Sequence, residues 1–189
     1  MQTPADRQSF PVRPTAVRLR LMRAPRRLDP DRAVEHLPRL YRAARAWSRS
    51  REEAEDLVQE TYARVLARPR FLRGDEELGY LLRALRNTLV SQRRAESRRP
   101  QTAPLPDEAA FGARPEDDPA LAVEQRRVLA VIHELPEEFR DALVAVDVAG
   151  LSYGEAAQAF GVPEGTLTSR LFRARDRVAR RLEGASGDQ

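Results

Sequence analysis

Apolar residues recur at helical spacing along most of this chain, and arginines and acids fill the positions between them. Leu78, Leu81, Leu82, Leu85 and Leu89 form one such stripe and predict a long helix over about residues 76–97. Upstream, Val34, Leu37, Leu40, Tyr41, Ala44 and Trp47 predict a helix in which Pro38 either occupies the first turn or forms a kink. A helix from about Arg51 to Arg68, ending at Pro69, buries Leu57, Val58, Thr61, Tyr62, Val65 and Leu66. In the C-terminal half, Leu121, Val128, Ile132 and Leu135 mark another helix. Pro136 opens the next, with Phe139, Leu143 and Val146 inside and Gly150 at its end. Ser152 followed by Glu155 is a capping box for a short helix with Tyr153, Ala156, Ala157 and Phe160 on its apolar side. Gly161 supplies a turn, and Pro163 and Glu164 start a last helix on which Leu167, Leu171, Ala174, Val178 and Leu182 share a face.

The fold class expected is all-α: two small helical domains joined by a flexible acidic linker. Residues 1–29 are rich in Pro and Arg without a sustained period and read as a disordered tail, with Met22 a candidate start. The first domain covers residues 30–98, and within it the segment around Phe71 reads as a loop. Residues 99–118 form the linker, punctuated by Pro100, Pro104, Pro106 and Pro115. The second domain covers residues 119–183, and residues 184–189 form a short tail.

Composition then removes whole classes of chemistry. There is no cysteine, so thiolate catalysis, disulfides and cysteine-held zinc are excluded. Every basic residue is arginine, which excludes a phosphate-loop lysine, a Schiff base and a phosphorylatable receiver domain. His36 and His133 are far apart in the chain and read as ordinary histidines. No Ser/His/Asp grouping or glycine-rich phosphate cradle stands out, so neither enzymatic activity, a cofactor nor a metal is expected. Nothing approaches the apolar length of a membrane span or a signal peptide, and a cytoplasmic protein without membrane contact of its own is expected.

The net charge of +4 is unevenly spread. Arg83, Arg86, Arg93, Arg94, Arg98 and Arg99 form one basic block, and Arg170, Arg173, Arg175, Arg177, Arg180 and Arg181 form another. Acids such as Asp107, Glu116 and Asp118 lie between them, a layout suited to two contacts on one polyanion. The last helix packs by one face and offers Ser169, Arg173 and Arg180 on the other, as a helix-turn-helix recognition helix does. The bland alternative is a solvated helical hairpin. On the leucine-striped helix, arginines can hold phosphates while Asn87 bonds a base edge. Phe71 and Tyr80 beside them suit unstacked bases, although both can equally be core residues. Glu53, Asp56 and Glu60, with Gln59 at the edge, gather acids on one helix face that would dock a basic partner, or merely face water.

Taken together, GluAspLeuValGlnGluThrTyr at 55–62, PheLeuArgGly at 71–74 and TyrLeuLeuArgAlaLeuArgAsnThr at 80–88 resemble the second conserved region of bacterial sigma factors. LeuProGluGluPheArgAspAla at 135–142, GlyLeuSerTyrGlyGluAlaAla at 150–157 and GlyThrLeuThrSerArgLeuPheArgAlaArg at 165–175 resemble the fourth. Two such regions on a short linker are the layout of the extracytoplasmic-function group. The resemblance implies a subunit that directs core RNA polymerase to promoter DNA, helps to melt it, and answers to an anti-sigma factor. It implies that Asp56, Gln59 and Glu60 grip the polymerase. It assigns the downstream element and its melting to Phe71, Arg73, Tyr80, Arg83 and Asn87, and the upstream element to Thr168, Ser169, Arg170, Phe172 and Arg173. Tyr80 stands where a tryptophan is usual, Ser91 where an aspartate is common, and Thr168 where a basic residue is frequent, departures that bear on promoter preference. Two other readings remain open on the residues alone: a duplex-binding repressor or activator, and a decoy that titrates an inhibitory partner. A repressor needs neither the acidic helix face nor the aromatic loop, and the decoy needs a receiver domain.

Overall fold

The computed structural model describes residues 26–72, 76–98 and 119–184. The chain enters through a two-residue strand, β1 (Arg26–Arg27), which pairs antiparallel with β2 (Phe71–Leu72). The pairing continues as the Leu28 amide donates to the Arg70 carbonyl at 3.0 Å, and Leu28 is buried. Residues 26–29 thus belong to the first unit rather than to a tail, and Phe71 lies on a strand rather than in a loop. Two residues carry no periodicity, and the partner strand is remote in sequence, so neither was visible locally.

Asp29 caps α1 (Pro30–Glu35), its carboxylate accepting from the Asp31 amide at 3.1 Å. The helix then breaks at His36, and Pro38 lies in the first turn of α2 (Leu37–Trp47), where its missing N–H leaves no bond unmade. The single helix expected over Val34 to Trp47 is therefore two, and the break turns Val34 and Leu37 to solvent. Ser50 caps α3 (Arg51–Ala67) by accepting from the Glu53 amide, while the Glu53 carboxylate accepts from the Arg49 amide. α4 (Glu77–Arg98) buries all five leucines of its stripe. α2, α3 and α4 pack around Leu40, Trp47, Leu57, Leu81, Leu82 and Leu85, with Ala43, Ala44 and Ala46 letting α2 approach closely. Leu66, expected in this core, is exposed at the end of α3.

The second unit begins with α5 (Pro119–Glu134), whose C-terminal carbonyls are gathered by one side chain. The Arg140 guanidinium donates to the carbonyls of Ile132, His133 and Leu135, a cation placed at the negative end of a helix. α6 (Glu137–Leu143) runs into a π-helical turn, Val144–Val148, which ends at Gly150 with φ of 76°. A Cβ at Gly150 would lie 2.9 Å from Arg39 Nη2 of α2, so this glycine serves both the turn and the approach of the first unit. α7 (Tyr153–Phe160) has the expected capping box between Ser152 and Glu155, and Gly161 closes it in the left-handed region at φ of 66°. α8 (Glu164–Gly184) buries Leu167, Leu171 and Ala174 against α6 and α7, with Val178 and Leu182 half-buried. Tyr153, expected inside, is partly exposed.

The two units dock: α2 packs on α5 and on the π-helical turn, and α4 packs on α7. The expected linker, 99–118, lies outside the described residues. Among those described, no helix is long and apolar enough to cross a membrane.

His133 reports on this docking. Burial and the Arg140 charge, reinforced by Arg93 and Arg49, push its pKa from 6.5 down to about 4, against a hydrogen bond with the Arg45 backbone of α2. The folded ring binds its proton less well than the unfolded chain does. Its contribution to stability is therefore present above pH 6.5 and fades as pH falls towards 4. His133→Asn is expected to lose less stability than the wild type across that window in urea titrations. Identical pH profiles would show that the ring titrates as it does in water.

Candidate nucleic-acid and partner interfaces

On α3, Asp56 and Gln59 are exposed and Glu60 is half-buried. The structure brings all three to one shallow hollow, together with Ala63, Arg64 and, from α4, Gln92. Glu60 pairs with Arg64 at 2.6 Å, one turn on. Such an exposed pair is worth little in water and exchanges readily for a basic partner. Glu53, counted with these acids from the sequence, is engaged in capping instead.

On α4, Arg83, Arg86 and Asn87 lie outside the leucine stripe as expected, but they do not face open water. They line one wall of a cleft of about 710 Å³ between the two units; Glu137, Glu138, Asp141, Phe160 and Arg170 are on the other. Arg83 reaches across to the C-terminal end of α7, donating through Nε to the Ala159 carbonyl at 2.5 Å and through Nη2 to the Gln158 carbonyl. Arg86 reaches α6, with Nη2 at 2.5 Å from Glu137 and Nε donating to Asp141. Beside this cleft Phe71 is 72% exposed on β2, while Tyr80 is half-buried against the core. Both border a second hollow with Arg83, Gln158 and Ala159. Arg73 lies outside the described residues. Further along α4, Arg93 donates to the Trp47 carbonyl at 2.8 Å, and Arg94 and Arg98 remain exposed.

On α8, Thr168, Ser169, Phe172 and Arg173 are exposed opposite the buried stripe. The Thr168 and Ser169 hydroxyls donate back to the carbonyls of Glu164 and Thr166, leaving their oxygens as outward acceptors. Arg170 leans towards Glu138 at 3.5 Å. Arg173 makes no ion pair among the described residues. The rest of this basic block has partners within the protein. Arg175 holds Asp147 through both ends of its fork, at 2.7 and 3.0 Å, which raises its pKa. Arg177 lies 4.8 Å from the centroid of the Phe139 ring, Arg180 pairs with Asp176, and Arg181 with Glu134. A sequence shows where arginines cluster, but their acidic partners sit on other elements.

Sequence reasoning missed the residues that join the units. Asp141 is 8% exposed; one carboxylate oxygen accepts from the Trp47 indole N–H at 3.1 Å, and the other accepts from Arg86. Burial raises its pKa, and the Arg86 charge opposes the rise. The available signal was an aspartate amid Phe139, Ala142 and Leu143, which hints at a buried partner without naming it. Among the described residues, no group of three or more His, Asp or Glu side chains is placed to hold a metal ion.

The family models that match are sigma-70 region 2, over residues 33–99, and sigma-70 region 4, over residues 125–178. The ECF RNA polymerase sigma factor SigM of Mycobacterium tuberculosis is 36% identical over 149 residues, covering 78% of this chain and 73% of that protein. EcfG of Rhodopseudomonas palustris is 33% identical, covering 79% of this chain and 82% of that protein. SigE of Mycolicibacterium smegmatis is 32% identical, and there the match spans 76% of this chain but 57% of the relative. Among solved structures, the sigma factor RpoE of Bartonella quintana, in complex with the anti-sigma factor NepR, is 27% identical. It superposes with a TM-score of 0.62 over 81% of this chain and 95% of that one. With both regions matched in order and carried by the two helical units, the chain belongs to the sigma-70 family, in its extracytoplasmic-function group.

Proposed function

We propose that this chain is the promoter-specificity subunit of a bacterial RNA polymerase, acting in the cytoplasm without catalysis of its own. The observation that carries the reading is the exposed face of α8. Thr168, Ser169, Phe172 and Arg173 stand opposite a stripe anchored by Leu167, Leu171 and Ala174, in a unit that matches sigma-70 region 4. A helix held this rigidly presents its side chains to a major groove at fixed spacing. The α3 hollow of Asp56, Gln59 and Glu60 supplies the polymerase grip, and Phe71, Tyr80, Arg83 and Asn87 supply a surface for the unstacked downstream element. Because RpoE is held by an anti-sigma factor, an inhibitory protein partner is proposed here as well. Transcription reconstituted from core polymerase, this chain and genomic DNA tests the reading. Discrete start sites absent with core alone support it; tight sequence-specific duplex binding by the free chain, with no effect on core, favours a repressor.

Replacing Asp56 and Glu60 by arginine is expected to abolish co-purification with core polymerase while leaving the helical circular dichroism unchanged. Undiminished co-purification would move the grip elsewhere.

Base readout and phosphate anchoring separate on α8. Arg173→Ala, assayed as holoenzyme, is expected to cost about 1–3 kcal/mol on the correct upstream element and to relax its sequence preference. Arg180 lies further along the helix in an exposed pair with Asp176 that a phosphate displaces easily. Arg180→Ala is expected to weaken all sequences alike and to lower the salt slope by about one. Equal loss on matched and scrambled elements for Arg173→Ala would show that it is only an anchor.

A further inference from the structure

We propose that Arg27 on β1 and Phe71 on β2 form one nucleotide-binding pair, the ring taking an unstacked base and the guanidinium taking its phosphate. The inference rests on the reading of Phe71 as part of the downstream-element surface. It extends that surface onto a strand upstream of the sigma-70 region 2 match, which begins at residue 33. The pairing register carries it. Arg27 stands directly opposite Phe71, and Arg26 opposite Leu72. Because the Leu28 amide donates to the Arg70 carbonyl, the alternation of the ladder leaves Arg27 and Phe71 as a pair with no hydrogen bonds between them. Side chains of such a pair leave the same face of the ribbon, with Cβ atoms about 4.5–5.5 Å apart. The next residue points the other way: Leu28 is buried, which anchors β1 and holds Arg27 outward.

The fold leaves both members of the pair available. Phe71 and Arg27 are exposed, and Arg27 makes no ion pair among the described residues. An exposed ring offers its face to any unstacked base, and a guanidinium beside it can fork onto phosphate oxygens through two N–H donors. The arginine arm is long enough to meet the phosphate of a nucleotide that lies on the ring. An acidic protein segment would satisfy the guanidinium but leave the ring without a stacking partner, so a single nucleic-acid strand fits the pair better. Base face and phosphate are common to every nucleotide. Arg27 therefore anchors the strand without reading its sequence.

The test uses holoenzyme reconstituted with the full chain. It is titrated, at several salt concentrations, with a fluorescent single-stranded oligonucleotide carrying the nontemplate downstream element of a promoter mapped by the reconstituted assay. Arg27→Gln is expected to weaken binding about threefold to fivefold at physiological salt and to lower the salt slope by about 0.7, the share of one phosphate on a single strand. Arg27→Lys should regain the slope. Phe71→Ala is expected to weaken binding about tenfold or more. Because both side chains hold one nucleotide, the double variant should lose less than the product of the two single losses. A wild-type salt slope in Arg27→Gln, or losses that simply multiply, would overturn the pair while leaving Phe71 in place. If the wild-type holoenzyme fails to bind the strand, or Phe71→Ala costs nothing, the reading of the downstream surface falls and the pair with it.

Discussion

One carboxylate, that of Asp141, organises the relation between the two halves of this chain. It is buried, and it joins an indole N–H from α2 to a guanidinium from α4 while itself belonging to α6. Removing a carboxylate from water is expensive, and a single opposite charge rarely repays that in full. The compensation here is geometric, since each oxygen meets a donor and the neighbouring Glu137 holds the other end of the same guanidinium. Such a node adds little net stability but specifies one docking angle, because any other leaves a buried charge without partners. Gly150 beside the Arg39 guanidinium and Gly79 in ordinary contact with Ala159 lie along the same junction.

What could be read from the sequence was whatever local periodicity encodes. The leucine stripe of α4, the buried face of α8, the Ser152–Glu155 box and the Gly161 turn all depend on residues within a few positions of one another, and all were legible. The break at His36 was only half legible: Pro38 signalled a boundary, but the same residue is compatible with a kink. The β1–β2 pair, the exposure of Leu66 and the Asp141 node depend on partners remote in the chain, which no local pattern reports. The candidate site divided in the same way. Exposure of Asp56, Gln59, Phe172 and Arg173 follows from helical phase, whereas the covering of Arg83 and Arg86 follows from docking.

A chain with arginine as its only basic side chain assigns that residue several different tasks. Arg140, Arg83 and Arg93 satisfy carbonyls, all three at C-terminal helix ends. Arg175 and Arg181 brace α8 against neighbouring elements through Asp147 and Glu134. Five donors in a planar fork make this possible where a lysine would supply a point charge. The basic character of the sequence therefore overstates the surface available to nucleic acid, and among the described residues Arg173 has none of these duties.

The account stands on docking of the two units through Asp141 in the free chain, which a distance measurement addresses directly. Fluorophores placed through Ala67→Cys on α3 and Ala179→Cys on α8, both exposed positions, report the separation of the units by single-molecule energy transfer. The account predicts one narrow high-transfer population for the free chain. A broad low-transfer distribution in the free chain would contradict it.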